Sequence, residues 1–355
     1  MECQYRKTIP RGKTRGKVMR KDIKFYLVLI ASVAILLMTT FYQISLLDIQ
    51  NSQNEFLIII MAAMITGIVC LISICFYKEK DFSVEKACKV LLPIIFILFF
   101  ICMPMFKNHD EDHHWIRIYD ITQGNLLTST EHGHIFAENS SNYPATELPR
   151  AVLDVVDMQY SQSHGIRDLL EVEINKDDKI YVAMPTTAIY APIQYMPQAI
   201  GAYLSDLITD KPIIIAYAAR FVNMLFCYTV LYFAIKLMPF EKKIMLATIA
   251  IPIAVEGFTS LSPDGMTISM SLLLIAYVLN LVFNKQITKI TWKHKITLAF
   301  ISIVVALCKI VYLPLVGLVL LLPKEKFKSN KEQIITISVI ILIAVVINLR
   351  MACNF

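Results

Sequence analysis

Between Asn108 and Trp115 the chain reads NHDEDHHW, with His109, Asp110, Glu111, Asp112, His113 and His114 in an unbroken run. Carboxylates can serve as a general base or hold a divalent cation, and imidazole suits either a metal or proton transfer. A helix starting near Asp110 would set Asp110 and His114 on one face, with Arg117 following a turn later. Acids at a helix N-terminus also need no function, because the helix dipole favours them there. The run is therefore open to three readings: a catalytic site, a metal site, or a solvated loop.

Three further groups of residues could carry chemistry. MPTTAIYAPIQYMPQAIGAYLSDL, over 184–207, combines prolines and tyrosines with an amphipathic tail. It reads as an interfacial helix entered by a Pro-shaped turn, or as a set of aromatic-belt residues before a span. Ser260-Leu261-Ser262-Pro263-Asp264-Gly265 has the composition of an ordinary turn, but Glu256 lies in the apolar block just before it. Lys309, in ALCKIVYLPL, sits in an apolar region with Tyr312 and Pro314, where it either snorkels or holds a phosphate as a point charge. Arg220 and Asn223 raise the same question inside another apolar block.

The elements that must position these residues are membrane spans. The 355-residue chain is 56% hydrophobic and only 17% charged, where a soluble protein carries about a quarter. Its apolar residues fall in blocks long enough to cross a hydrocarbon core. The expected fold is an all-α polytopic membrane protein with about seven full spans, at 25–47, 55–77, 90–106, 213–235, 244–260, 266–283 and 334–350. The eight cysteines are scattered without a CxxC pair, which supports neither a disulfide framework nor a zinc knuckle.

Charge orients the spans. Lys and Arg concentrate in 1–24, 78–89, 236–243, 284–295 and 324–331, which together hold 24 of the 34. Short cytoplasmic segments collect such residues, so all five belong on one inner face, with the N-terminus inside. The apolar region 296–322 has both flanks on that face and must cross an even number of times. At 1.5 Å per residue it is too short for two full spans, so a short helical hairpin turning near Lys309 is expected. One ordinary span, inverting all that follows, is the alternative.

The same parity sends 107–185 outside. This loop carries 14 acids against six Lys and Arg, and six of the seven histidines. Its regular apolar spacing predicts a folded, mainly helical extracytoplasmic element. The organisation expected is a basic arm over 1–24, two additional spans and a cytoplasmic loop over 25–89, and a membrane domain over 90–355. That domain includes the outer loop 107–185 and the interfacial segment 186–210. All the polar features then converge on the outer leaflet, which points to one outward-facing pocket.

In their order and spacing these residues resemble a known family. Asp110-Glu111-x-x-His114-Trp115-x-Arg117-x-Tyr119, followed by Gly124, is similar to the opening of the first outer loop in DUF2142, a bacterial membrane domain of unknown function. Tyr190-x-Pro192-x-x-Tyr195-x-Pro197-Gln198-Ala199-x-Gly201, Ser260-x-Ser262-x-Asp264 and Lys309-x-x-Tyr312 resemble its later signatures. The family itself resembles the GT-C class of glycosyltransferases. The resemblance implies a GT-C-like fold and an enzyme that moves a sugar from a polyprenyl-phosphate donor to a cell-envelope acceptor. It implies Asp110 as base with Glu111 beside it, and His114, Arg117 and Asp264 in support. Lys309, Arg220 and Tyr312 would meet the donor phosphate, while Tyr190, Tyr195 and Gln198 would line the substrate.

A divalent cation, Mg or Mn, held by Asp110, Glu111 and His114 is the candidate cofactor, and nucleic acid is not an expected partner. The implied location is the bacterial cytoplasmic membrane. Two departures stand out: His109 replaces the proline that often precedes the acid pair, and the chain stops at Phe355 where other members continue. The competing classes are a transporter or flippase for a lipid-linked envelope intermediate, and a truncated, noncatalytic relative acting in envelope assembly.

Overall fold

The structure is a computed structural model. Contacts divide the chain into Met1–Phe82 and Ser83–Phe355. The residues it describes are 83–126, 144–160, 166–184, 186–188 and 190–353, with four isolated helical positions within 26–34. The basic arm over 1–24 and the spans expected at 25–47 and 55–77 lie outside the described residues, apart from those four positions.

The second unit opens with α1, Val84–Cys102. Its N-cap Ser83 accepts a hydrogen bond from the Lys86 amide at 3.1 Å, and Glu85 in the first turn favours the dipole. In the outer-loop region α2 spans Glu111–Thr122, β1 Ala145–Pro149, α3 Ala151–Tyr160, α4 Ile166–Glu171 and β2 Lys179–Ala183. The two strands pair antiparallel, from Ala145 opposite Ala183 to Pro149 opposite Lys179. This corrects the all-α expectation: Thr146, Ile180, Tyr181 and Val182 favour a pleated pair, and strands of five residues are too short to outweigh helical periodicity in a sequence reading.

A 3₁₀ turn over Pro192–Tyr195 leads into α5, Met196–Asp206. One side of α5 buries Pro197, Gln198, Ala199, Gly201 and Ala202. The other exposes Met196, Ile200, Tyr203, Leu204 and, just past its end, Leu207. That apolar stripe is what a helix lying at a lipid interface presents.

The remaining helices are α6 (Pro212–Leu237), α7 (Lys242–Ile249), α8 (Pro252–Thr259), α9 (Asp264–Phe283), α10 (Trp292–Cys308) and α11 (Asn330–Cys353). Among the described residues, three helices are long and apolar enough to cross a membrane: Pro212–Leu237, Asp264–Phe283 and Asn330–Leu349. The single span expected over 244–260 is instead two eight-residue helices, α7 and α8. Pro252 begins the second, and proline there cannot donate to the preceding turn, so the helix restarts.

In the region expected to form a hairpin, α10 ends at Cys308 and Lys309 is extended. A short apolar helical segment, Ile310–Leu321, then follows.

The core is built in three parts around α6. Trp115, Ile118 and Tyr119 of α2 pack with Leu148, Val152, Tyr195, Ala199 and Ala216. Leu92 and Phe96 of α1 pack with Cys227, Leu231 and Phe258. Leu274 and Val278 of α9 pack with Val305 of α10 and Ile340 of α11. The helices α5 and α6 approach so closely that a Cβ at Gly201 would lie 2.6 Å from the Ala218 carbonyl oxygen, so only glycine fits.

Candidate functional site

The site begins at a strained turn. Phe106 and Asp110 both have left-handed backbones, with φ of 62° and 55°. An aspartate tolerates this better than a bulky phenylalanine, and such outliers persist where surrounding contacts impose them. The contact here is Glu111. Its carboxylate accepts from the Phe106 amide at 3.0 Å and from the Leu261 amide at 2.9 Å. It also accepts from Arg220 Nη2 at 2.6 and 2.7 Å and from Nε at 3.1 Å. Arg220 also donates to the carbonyls of Met103, from Nη1 at 2.7 Å, and of Pro104, from Nη2 at 3.3 Å.

Both side chains are fully buried. This pair corrects two expectations. Glu111, expected beside Asp110 at the active-site edge, is buried against Arg220, and neither it nor Arg220 lines the cavity described below. The two instead lock the loop before α2, the α8–α9 turn and α6 together.

Arg117 is a second buried fastening. It pairs with Asp120 and donates to the carbonyls of Asn125 at 3.0 Å and Leu126 at 2.7 Å. Asp120 also accepts from Asn125 Nδ2 at 2.8 Å and from the Thr146 hydroxyl. The returning chain needs Gly124 at φ 90°, a conformation that side chains disfavour. The Arg117 and Gly124 positions of the motif thus close the C-terminal end of α2 onto β1.

The α8–α9 turn is held by buried amides. Asn223 Nδ2 donates to the Ser260 carbonyl at 2.8 Å, and Gln198 Nε2 to the Ser262 carbonyl at 3.2 Å. Gln198, expected to line substrate, is fully buried and positions this turn. Tyr312 packs against the α9–α10–α11 core and does not line the cavity described next.

What these fastenings leave open is a cavity of about 390 Å³. Asp110, His114, Tyr190, Asp264 and Lys309 line it together, joined by Asn108 and Glu256. Ile253, Ala254 and Ile268 form its apolar wall. Lys309 Nζ donates to Asp264 at 2.5 Å and lies 5.5 Å from the centre of the Tyr190 ring. Asp110 is half exposed, with His109 Nε2 at 3.3 Å.

His114 Nδ1 lies 2.9 Å from the Tyr195 hydroxyl. Burial pushes the Tyr195 phenol well above its ordinary pKa, so it keeps its proton and can donate it to Nδ1. Burial also lowers the His114 pKa to about 4, against the weaker pull of Asp264 and Asp110. The imidazole is therefore neutral at pH 7 and lines the cavity while its Nδ1 is engaged by the Tyr195 hydroxyl. Tyr195 sits behind His114 and does not itself line the cavity.

The proposed metal set of Asp110, Glu111 and His114 does not form, because Glu111 is spent on Arg220. Among the described residues, no three His, Cys, Asp or Glu side chains are grouped to hold a metal ion. Asn108 was not apparent from the sequence, since nothing distinguishes it from a loop asparagine. Glu256 carried a signal, as an acid inside an apolar block.

A helical bundle with apolar helices of this length, an exposed apolar stripe and a polar cavity among them defines an integral membrane protein. The chain belongs to the family of predicted membrane proteins DUF2142, whose profile matches residues 92–354. No curated protein and no solved structure matches the chain.

Proposed function

We propose that the chain is a GT-C-type glycosyltransferase of the bacterial cytoplasmic membrane. In this reading it moves a sugar from a polyprenyl-phosphate donor to a cell-envelope acceptor at the outer face. The observation that carries the reading is the meeting of Asp110, His114, Asp264 and Lys309 in one cavity with an apolar wall. Carboxylates accept hydrogen bonds from sugar hydroxyls, and a single ammonium suits one phosphate. An apolar flank suits the first units of a lipid tail.

The chemistry assigned to these groups is a displacement at the anomeric carbon. Asp110 takes the proton from the acceptor hydroxyl as its oxygen bonds to that carbon. The bond from the anomeric carbon to the phosphate oxygen breaks, and the polyprenyl phosphate leaves with the electron pair. Lys309, held in place by Asp264, stabilises the charge gathering on that phosphate. His114 donates from Nε2 to a sugar or phosphate oxygen.

A transporter or flippase of a lipid-linked intermediate is the second reading. It is favoured by the helix breaks at Pro252 and Lys309 beside the cavity, since transporter sites form at discontinuous helices. Purified full-length protein in proteoliposomes with polyprenyl-phosphate sugars separates the two. The enzyme releases free polyprenyl phosphate and glycosylates an envelope acceptor fraction. Movement of intact donor between leaflets without its consumption would overturn the transferase reading.

A further inference from the structure

A second cavity, of about 520 Å³, lies between α10 and α11 and shares no lining residue with the site above. The two helices run parallel. Lys295 near the start of α10 pairs with Glu332 near the start of α11 at 2.6 Å, and Asn348 near the end of α11 donates to the Ala306 carbonyl near the end of α10. Both N-terminal ends, the positive poles of the helix dipoles, therefore meet at the same mouth.

That mouth is also where lysine concentrates. Lys295, Lys331, Glu332 and Ser329 line the groove there, so its own side chains leave one net positive charge, on Lys331. Segments 284–295 and 324–331, with four lysines each, both run into it. Lys331 forms no ion pair among the described residues. Below the mouth the walls turn apolar, with Ile296, Ala299, Ile335, Val339 and Ile340. Over the nine residues from Lys331 to Ile340 the groove descends about 14 Å. Trp292, 73% exposed, stands at the rim, as indoles do at a headgroup boundary.

We infer that this groove binds an anionic phospholipid, independently of any transferase activity. The headgroup phosphate lies beside Lys331 and the two helix ends, with Lys295 held behind it by Glu332, and one acyl chain follows the apolar walls. Charge complementarity singles out this occupant. A protein segment would have to bring its own acids to so basic a mouth, and a zwitterionic lipid would carry a cation to it. Basic pockets between spans on the inner side have this character in general.

The test is native mass spectrometry of the full-length chain in mild detergent, titrated with phosphatidylglycerol or phosphatidylcholine. Wild type retains phosphatidylglycerol preferentially, and Lys331→Glu reduces that retention roughly fivefold. Val339→Trp, which fills the groove, displaces both lipids while the thermal unfolding of either variant stays at the wild-type value. Equal retention of the two lipids by wild type, or a preference that survives both substitutions, overturns the inference. So does a disulfide from Val339→Cys to Cys3, Cys70 or Cys75, or to itself in a second copy, because a protein segment would then cover the groove.

Discussion

Replacing Glu111 by glutamine separates fastening from chemistry. The carboxylate accepts five hydrogen bonds, three of them from Arg220, and neither side chain has access to water. Glutamine keeps the shape but removes the charge, leaving a buried guanidinium uncompensated and placing an amide NH₂ where donors already point. Breaking a buried pair in this way costs about 3–5 kcal/mol. For a domain of this size that is a fall in Tm of roughly 5–15 °C. Scanning fluorimetry of the purified protein in detergent gives the value directly. Glu111→Gln combined with Arg220→Met removes both charges and should recover more than half of the loss, since the two act as a unit. A Glu111→Gln protein as stable as wild type, or a double variant as unstable as the sum of the singles, would refute the claim that this pair fastens the turn.

Other consequences follow from the same geometry. Gly201→Ala places a Cβ 2.6 Å from a backbone oxygen that cannot turn aside, so α5 must shift on α6; a loss of about 1–3 kcal/mol is expected in the same unfolding assay. Lys309→Met should raise the KM for the polyprenyl-phosphate donor about 10- to 100-fold by removing a charge-assisted contact, with little change in Tm. His114 predicts a pH dependence. Its folded pKa of about 4 lies below the ordinary 6.5, so as pH falls the unfolded chain takes up the proton first. Stability from this group is fully present above pH 6.5 and is lost between there and pH 4, by about 3 kcal/mol. His114→Asn should flatten that part of the Tm-versus-pH curve, and an unchanged slope would contradict the assignment.

The parts of this architecture set by hydropathy were legible in the sequence. Apolar length marked α6, α9 and α11, and the lone lysine in an apolar stretch marked the break at Lys309. The break within 244–260 was hidden, because counting apolar residues cannot see a missing amide donor, although Pro252 could have announced it. The β1–β2 pair escaped for a different reason: each strand is short, and its paired residues lie 30 to 38 positions away.

At the site, neighbouring acids invited a single reading as a pair. The left-handed turn at Asp110 sends them to different environments, one to the cavity and one to Arg220. Nothing local to Glu111 names a partner 109 residues further along. Similarly, the motif leads one to expect Gln198 to line substrate and Arg117 to support the acids, yet Gln198 donates to a backbone carbonyl of the α8–α9 turn and Arg117 to Asp120 and to carbonyls of the loop after α2.

The central claim is that Asp110, alone of the adjacent acids Asp110 and Glu111, acts on the acceptor. Asp110→Asn keeps the size and the tolerance for the left-handed turn while removing the base. In proteoliposomes supplied with polyprenyl-phosphate sugars and an envelope acceptor fraction, the variant should release polyprenyl phosphate about 10²–10⁴-fold more slowly than wild type, with an unchanged Tm. Full sugar transfer by a folded Asp110→Asn protein would contradict the account.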